Sequence, residues 1–261
     1  MSCRTAVLGG QVHQCGQCAD ERRYVYHSCN HRACPKCGGR EQKEWAAAQE
    51  AKLLPRVPYF MLTFTIPEEL RRFAYQQQAW FYDAMFKAAS ETLMDFAQDV
   101  KHLGGTPGFT AVLHTWTRQM QHHPHLHVVI PGIALSADGL RVRRSKAKKY
   151  LFPIAALAAA FRHRLDKAIL HRDTTEHTRH YSQIDPQVWQ KDWIVDAQAV
   201  GRGITALRYL ARYVHKSALS EPRLKGYDEQ GNIRLNCQDS DTGRWSIITL
   251  SVDEFLRRWC L

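Results

Sequence analysis

The sequence predicts a protein of mixed helices and strands, of class α+β or α/β, that begins with a small cysteine-rich module. Three observations support this prediction. Six of the eight cysteines fall within the first 37 residues. In the rest of the chain, segments rich in aromatic and β-branched residues alternate with segments of helical periodicity. A chain of 261 residues, of which 44% are hydrophobic, can bury one large core or two smaller ones.

The first half of the chain contains a helix, a strand and a second, longer helical segment. Residues 40–55 have a helical pattern that stops at Pro55. Residues 57–67 are rich in aromatic and β-branched side chains and bounded by prolines, which predicts a central strand. Residues 68–100 have helical periodicity throughout, and a glycine-rich segment follows them.

The second half begins with two strands, 109–117 and 125–132, which a short loop joins into a predicted hairpin. The remaining predicted elements are a helix at 153–171, a short strand at 193–198, a helix at 203–219, a hairpin within 231–251 and a final helix from 252.

The net charge and the apolar segments of the sequence indicate the kind of partner and the cellular location of the protein. The formal net charge is +11, from 36 Lys and Arg against 25 Asp and Glu, which favours a polyanionic partner such as nucleic acid. The first residues lack the apolar stretch of a secretory signal, and the longest apolar run, 154–161, is too short to span a bilayer. We therefore expect a cytoplasmic protein, in which clustered cysteines indicate a metal site instead of disulfides.

Two Cys-x-x-Cys pairs in the N-terminal module predict a zinc site. Cys15 and Cys18 form one pair and Cys34 and Cys37 the other. Each pair presents two thiolates from a tight turn, and two pairs complete a tetrahedral structural site. Cys29 is a further possible ligand. Three other residues of this module, Cys3, His13 and His31, can replace a ligand or form a second site.

A histidine-rich strand predicts a second metal site. His125 and His127 are separated by one residue, so both side chains point to the same face of a strand. The other interpretation is a histidine-rich surface turn. A cation would need a third ligand: His114, which a hairpin can bring opposite His127, or His123. Three protein ligands with open coordination positions are typical of a catalytic metal.

Tyr209 and Tyr213 lie four residues apart in the predicted helix 203–219 and therefore on one face. They are either packed aromatic side chains or paired nucleophiles. Lys216 lies within one turn of Tyr213 and would neutralise a phosphate or a developing phenolate. A basic run near the middle of the chain predicts contacts with DNA phosphates or a solvated loop. The candidate DNA-binding residues are Arg141, Arg143, Arg144, Lys146, Lys148, Lys149 and Arg212.

The order and spacing of several segments resemble one family. The segments are 3–10, 28–37, 62–67, 114–116, 123–132 and 206–219. Together they resemble the rolling-circle insertion-sequence transposases of the IS-ninety-one type, in the HUH endonuclease superfamily. The resemblance implies an α+β fold in which a zinc-ribbon-like module, residues 1–45, precedes an HUH-type antiparallel sheet flanked by helices, residues 46–261. Members usually extend beyond both ends of this sequence, so we expect a chain truncated at its C-terminus.

The resemblance also implies a chemistry. His125 and His127 match the family's metal-binding motif, and Tyr209 and Tyr213 match its paired nucleophiles. The expected reaction is cleavage and rejoining of single-stranded DNA at element ends and target through 5′-phosphotyrosine intermediates. Structural Zn²⁺ and catalytic Mg²⁺ or Mn²⁺ are the expected cofactors. The alternatives are a non-catalytic zinc-dependent DNA-binding protein and a plasmid-type rolling-circle replication initiator.

Overall fold

A computed structural model describes residues 2–18, 21–31, 33–147, 149–172, 182, 184–214, 219–239 and 242–259. The strands are β1 (Gly10–Gln14), β2 (Arg22–Tyr26), β3 (Tyr59–Thr65), β4 (Thr110–Trp116), β5 (His122–Pro131), β6 (Ile133–Leu135), β7 (Val142–Arg144), β8 (Val195–Ala199), β9 (Leu224–Tyr227), β10 (Ile233–Gln238) and β11 (Trp245–Leu250). The helices are α1 (Gly39–Glu50), α2 (Arg71–Gln76), α3 (Gln78–Gln98), α4 (Ile154–Leu170), α5 (Ile204–Val214) and α6 (Val252–Trp259).

The chain divides into two compact units. The first contains Met1–Ala47, Thr117–Gln121 and Ala211–Leu261, and the second contains Ala48–Trp116 and His122–Leu210. The predicted module 1–45 thus falls in one unit with C-terminal strands, while the domain boundary near residue 45 stays a prediction. Among the described residues, no helix has both the length and the apolar character that crossing a lipid bilayer requires.

The second unit is built on an antiparallel sheet with strand order β4-β5-β3-β8. The prediction of a central strand is confirmed, because β3 pairs with β5 on one side and β8 on the other. Phe60, Leu62 and Phe64 alternate along β3 and are fully buried. They belong to a core that also contains buried side chains of α3 and α4, and the rings of Phe64 and Phe161 lie 5.1 Å apart. Burial of the apolar side chains in this core is the main force that holds the helices on this face.

The opposite face of the sheet carries the histidines. Thr63 pairs with His127, and His114 pairs with His125 across β4 and β5. The prediction that His114 lies opposite His127 was wrong, since Val112 occupies that position. A register irregularity between His114 and Trp116, next to the turn, sets this pairing.

The predicted long helix at 68–100 is interrupted. A 3₁₀ turn at Glu68–Leu70 leads into α2, and Gln77 leaves the helical region, with φ −125° and ψ 36°, before α3 begins. The interruption lets the short α2 pack on β5 while α3 packs on α4. Part of the basic run at 141–149 also forms the strand β7, which pairs with β6.

The first unit contains the hairpin β1–β2, a three-stranded sheet of order β11-β10-β9, and α6. The predicted C-terminal hairpin is confirmed, as β10 and β11 pair over six residues. A small core contains Met120, Leu235 and Phe255. The Trp259 indole N–H donates to the Ala33 carbonyl at 3.0 Å, which ties the final helix to the cysteine region. The predicted α+β class, with a cysteine cluster and an antiparallel sheet flanked by helices, is confirmed.

Candidate metal centres and active site

Three histidines converge on one face of the four-stranded sheet. His114, His125 and His127 each offer a ring nitrogen within 4.8 Å of the other two. Nδ1 of His114 lies 2.9 Å from Nε2 of His125. Two nitrogens that bind one cation at right angles are about 3 Å apart, so this spacing suits a shared ion. His123 is outside this group among the described residues, although its ring lies 5.4 Å from that of His125.

Burial keeps these imidazoles neutral. Burial, with a smaller effect of neighbouring histidines, lowers the pKa of His114 to about 2 and that of His127 to about 4. Burial also lowers the pKa of His125. A histidine binds a cation only through a deprotonated ring nitrogen. The cluster is therefore ready to bind a metal at neutral pH.

Neighbouring groups fix the orientation of two of these rings. Oγ1 of Thr63 lies 3.0 Å from Nδ1 of His127. The His123 carbonyl accepts a hydrogen bond from the Nδ1–H of His125 at 2.7 Å. With Nδ1 engaged in this way, Nε2 is the atom left for a metal on both His125 and His127. Sequence reasoning missed Thr63. The sequence feature that could have indicated it is a polar residue that alternates with buried apolar residues along a predicted strand.

Helix α5 brings one of the predicted tyrosines to this cluster. The half-buried Tyr209 meets His127 edge-on, with ring centroids 5.7 Å apart. Tyr213 is also half-buried and lies one turn later on α5. Arg208 makes a two-point ion pair with Glu50, at 2.6 and 3.0 Å, which anchors this part of the helix to the end of α1.

The candidate DNA-binding residues that the structure describes are all exposed. They are Arg141, Arg143, Arg144, Lys146, Lys149 and Arg212. Two predicted residues, Lys148 and Lys216, lie outside the described residues. The exposed cations Arg141, Arg143, Arg144, Lys146 and Lys149 lie within or near the short strand β7, where they are available to a polyanion.

The cysteine cluster differs in membership from the predicted set. Cys3, Cys29, Cys34 and Cys37 place their sulfur atoms within 4.8 Å of one another. The sulfur of Cys37 lies 3.5 Å from that of Cys3 and 3.8 Å from that of Cys29. Four sulfurs bound tetrahedrally to zinc at about 2.3 Å are about 3.8 Å apart, so the spacing fits zinc closely.

The thiols of this cluster differ in acidity. A hydrogen bond from the Cys29 backbone N–H lowers the pKa of Cys3 to about 7. Burial, with the neighbouring thiols, raises the pKa of Cys37 to about 12. Four thiolates would repel one another without a cation, so zinc binding must release protons from this cluster.

Two predicted zinc ligands, Cys15 and Cys18, are outside this group among the described residues. They are exposed at the turn that joins β1 and β2. Hydrogen bonds from the backbone N–H groups of Cys18 and Gln17 lower the pKa of Cys15, and the Cys18 thiol lowers it by a smaller amount. Because Cys29 and Cys3 occupy the positions next to Cys34 and Cys37, the structure brings together only half of the predicted four.

Comparison with known families identifies the class of protein. Residues 108–261 match the family described as "Putative transposase", and residues 1–66 match the family described as "Transposase zinc-binding domain". The first match covers more than half of the chain. The chain therefore belongs to this family of transposases and carries its zinc-binding domain, as the resemblance predicted.

Two curated relatives agree with this membership. The chain is 38% identical over 274 residues to "Putative transposase y4qJ" of Sinorhizobium fredii, with 99% of this chain and 68% of the relative covered. It is 26% identical over 272 residues to the transposase for insertion sequence element IS801 of Pseudomonas savastanoi pv. phaseolicola, with 99% of this chain and 63% of the relative covered. The chain thus spans about two thirds of the length of these relatives.

Among solved structures, the conjugative relaxase TrwC in complex with OriT DNA, in its metal-bound form, is similar over 63% of this chain and 68% of that chain. The identity is 15% and the TM-score 0.33.

We predict that zinc content follows the observed cysteine cluster. The variant Cys29→Ser should lose nearly all of the roughly one zinc ion per chain, because three thiolates leave the tetrahedral site incomplete. The double variant Cys15→Ser/Cys18→Ser is the matched control and should keep its zinc. Elemental analysis by mass spectrometry measures both. Zinc retained in Cys29→Ser but lost in the double variant would contradict this assignment.

We also predict that acid destabilises the second unit through its histidines. The unfolded chain takes up protons below the ordinary histidine pKa of 6.5, whereas folded His127 does so only near 4. Lowering the pH from about 7.5 to about 5 should therefore reduce the free energy of unfolding by about 2 kcal/mol for each such histidine.

Urea unfolding at the two pH values measures this loss. His114→Gln should show a smaller loss than the wild type, because one buried imidazole is missing, while the exposed His163→Gln is the control and should match the wild type. An equal loss in all three proteins would show that other groups cause the acid sensitivity.

Proposed function

We propose that the chain cleaves and rejoins single-stranded DNA at element ends and target, in the cytoplasm, as a rolling-circle transposase with tyrosine nucleophiles. The contact between Tyr209 and His127 is the observation that carries this proposal, since it joins a potential nucleophile to a cluster of three metal-binding side chains. A buried core histidine would need no such partners around it. Membership of the transposase family supports DNA as the substrate.

His114, His125 and His127 are the proposed ligands of a catalytic divalent cation. Their neutral, buried imidazoles and close nitrogens fit a cation that also accepts DNA oxygens, with Mn²⁺ accepting imidazole more readily than Mg²⁺. When bound, such a cation polarises a phosphodiester by Lewis-acid chemistry. The contact of Thr63 with Nδ1 of His127 orients the ring and assigns Nε2 to this role.

Tyr209 and Tyr213 are the proposed nucleophiles. The tyrosine hydroxyl oxygen attacks the phosphorus, a new O–P bond forms, and the bond from phosphorus to the 3′ oxygen breaks. The phenol proton leaves to solvent, and the departing 3′ oxygen takes up a proton to become a free hydroxyl. One ester replaces another, so the 3′ hydroxyl can later reverse the step without ATP. A second tyrosine one helical turn away allows a second cleavage while the first covalent link persists.

The remaining residues have supporting roles. Cys3, Cys29, Cys34 and Cys37 are the proposed ligands of structural zinc. The exposed cations of the basic run and Arg212 are proposed to contact DNA phosphates, and Lys216 is proposed to neutralise a phosphate or the developing phenolate. This arrangement leaves the histidine cluster and the cysteine cluster as separate metal sites with separate tasks.

We predict a covalent protein–DNA product. An end-labelled single-stranded oligonucleotide of element-end sequence, incubated with the protein and Mn²⁺, should give a labelled band that survives denaturation. Tyr209→Phe/Tyr213→Phe should lose this band entirely, because neither variant side chain has an attacking oxygen. Tyr227→Phe removes the same atom from an exposed tyrosine elsewhere and is the control that should keep it.

His125→Ala separates the two metal sites. It should abolish the metal-dependent covalent band and leave the zinc content unchanged. DNA binding by the wild type without any covalent product, across several divalent cations, would contradict the catalytic proposal and favour a non-catalytic DNA-binding protein.

We predict that Thr63 contributes to cation affinity. Thr63→Val keeps the shape of the side chain but removes the hydroxyl that contacts Nδ1 of His127, so Mn²⁺ should bind about tenfold more weakly. Calorimetric titration of the zinc-loaded protein measures this affinity. Thr65→Val, on the same face of β3 and opposite His125, is the matched control. Equal Mn²⁺ affinity in both variants would exclude a role for Thr63 in orienting His127.

A further inference from the structure

We infer that an apolar cavity beside the three histidines receives a nucleobase of the single-stranded DNA and adds base stacking to the phosphate contacts. The cavity has a volume of about 670 Å³, within the range of roughly 300–1,000 Å³ that small-molecule sites occupy. The inference rests on the proposed function, because it takes DNA as the substrate. It adds a site that recognises a base, whereas the histidines and tyrosines act only on the backbone.

The cavity lies on the same face of the sheet as the histidines. Val129 and Thr110, which pair across β5 and β4, both line it. Val129 follows His127 by two residues on β5, so the two side chains point the same way and are about 7 Å apart along the strand. Helix α5 also runs from the cavity to the histidines, since its Leu207 lines the cavity and its Tyr209 contacts His127. A nucleotide next to a phosphate at the histidines would therefore reach the cavity.

An aromatic wall is held rigidly inside the cavity. Tyr59 is buried, and its hydroxyl accepts a hydrogen bond from the Leu54 backbone N–H at 2.9 Å. Gly203, at φ +81°, lies against the ring of Tyr59, because a Cβ added at Gly203 would come 2.9 Å from the ring atom Cγ. Phe109 is a second aromatic lining residue. A base gains stacking energy against aromatic side chains whatever its identity, and fixed rings lose little entropy on binding.

The rim of the cavity combines exposed apolar side chains with positive charge. Leu135 is 51% exposed and Val142, its partner across β6 and β7, is 55% exposed. The exposed Lys52 lines the cavity, and the exposed Arg144 pairs with the lining residue Ile133, on the same face of the hairpin as Val142. An apolar recess bordered by cations matches a nucleotide, which has an apolar ring face and an anionic phosphate. A lipid or an apolar peptide would not need these two cations.

Binding of two DNA probes tests this inference. The probes are a thymidine 12-mer and an abasic 12-mer with the same number of phosphates. The wild type should bind the thymidine strand about tenfold more tightly, because stacking adds to the phosphate contacts. Leu135→Glu should reduce this ratio about threefold or more, because a carboxylate at the rim opposes entry of a base. Using the ratio cancels the repulsion that an added negative charge exerts on both strands.

Leu140→Glu is the matched control, with the same change of residue and charge in the turn of the same hairpin. Leu140 is 85% exposed and does not line the cavity, so its ratio should equal that of the wild type. Val142→Glu places the charge on the facing strand and should act like Leu135→Glu. Thermal unfolding of all variants checks that the fold is kept.

An equal ratio in Leu135→Glu, Val142→Glu and Leu140→Glu would overturn the inference, as would equal binding of both strands by the wild type. The covalent assay on the same proteins separates the two proposals. A cavity-dependent ratio without covalent product contradicts the proposed catalytic function alone. Covalent product with an unchanged ratio contradicts the cavity inference alone.

Discussion

The pairing of β3 with β5 is the interaction on which the rest of the second unit depends. Seven residue pairs run from Tyr59–Pro131 to Thr65–His125. Alternation along the strands turns Phe64 and Leu126 into the core and Thr63 and His127 to the other face. A slip of β5 by one residue would put His125 and His127 into the core and Leu126 into the site. The hydrophobic effect that folds the sheet thus also positions the proposed metal ligands.

Burial gives the site its chemical state as well as its shape. The same desolvation that lowers the pKa of His114 and His127 keeps their nitrogens unprotonated at neutral pH. A neutral imidazole costs less free energy to bury than a protonated one, so burial favours the form that can bind a metal. The cysteine cluster is different, because its thiols must lose protons to bind zinc. The two clusters therefore respond differently to pH, although both are proposed as sites for divalent cations.

Periodicity in the sequence was enough to predict the central strand, the C-terminal hairpin and the shared face of His125 and His127. It was not enough to predict the partner of His114, since a register irregularity near the turn decides which residue lies opposite. Motif spacing suggested Cys15 and Cys18 as ligands, but distances along the chain do not specify which of six cysteines meet in space. Thr63 and the cavity were missed for a similar reason: both are defined by contacts between distant segments.

The central claim is that His114, His125 and His127 hold one divalent cation beside Tyr209. Crystals of the protein grown with Mn²⁺ and measured at the manganese absorption edge test it most directly. The account predicts one anomalous peak bonded to all three histidines and next to the Tyr209 ring. A manganese peak elsewhere, with the three imidazoles bonded only to one another, would contradict it.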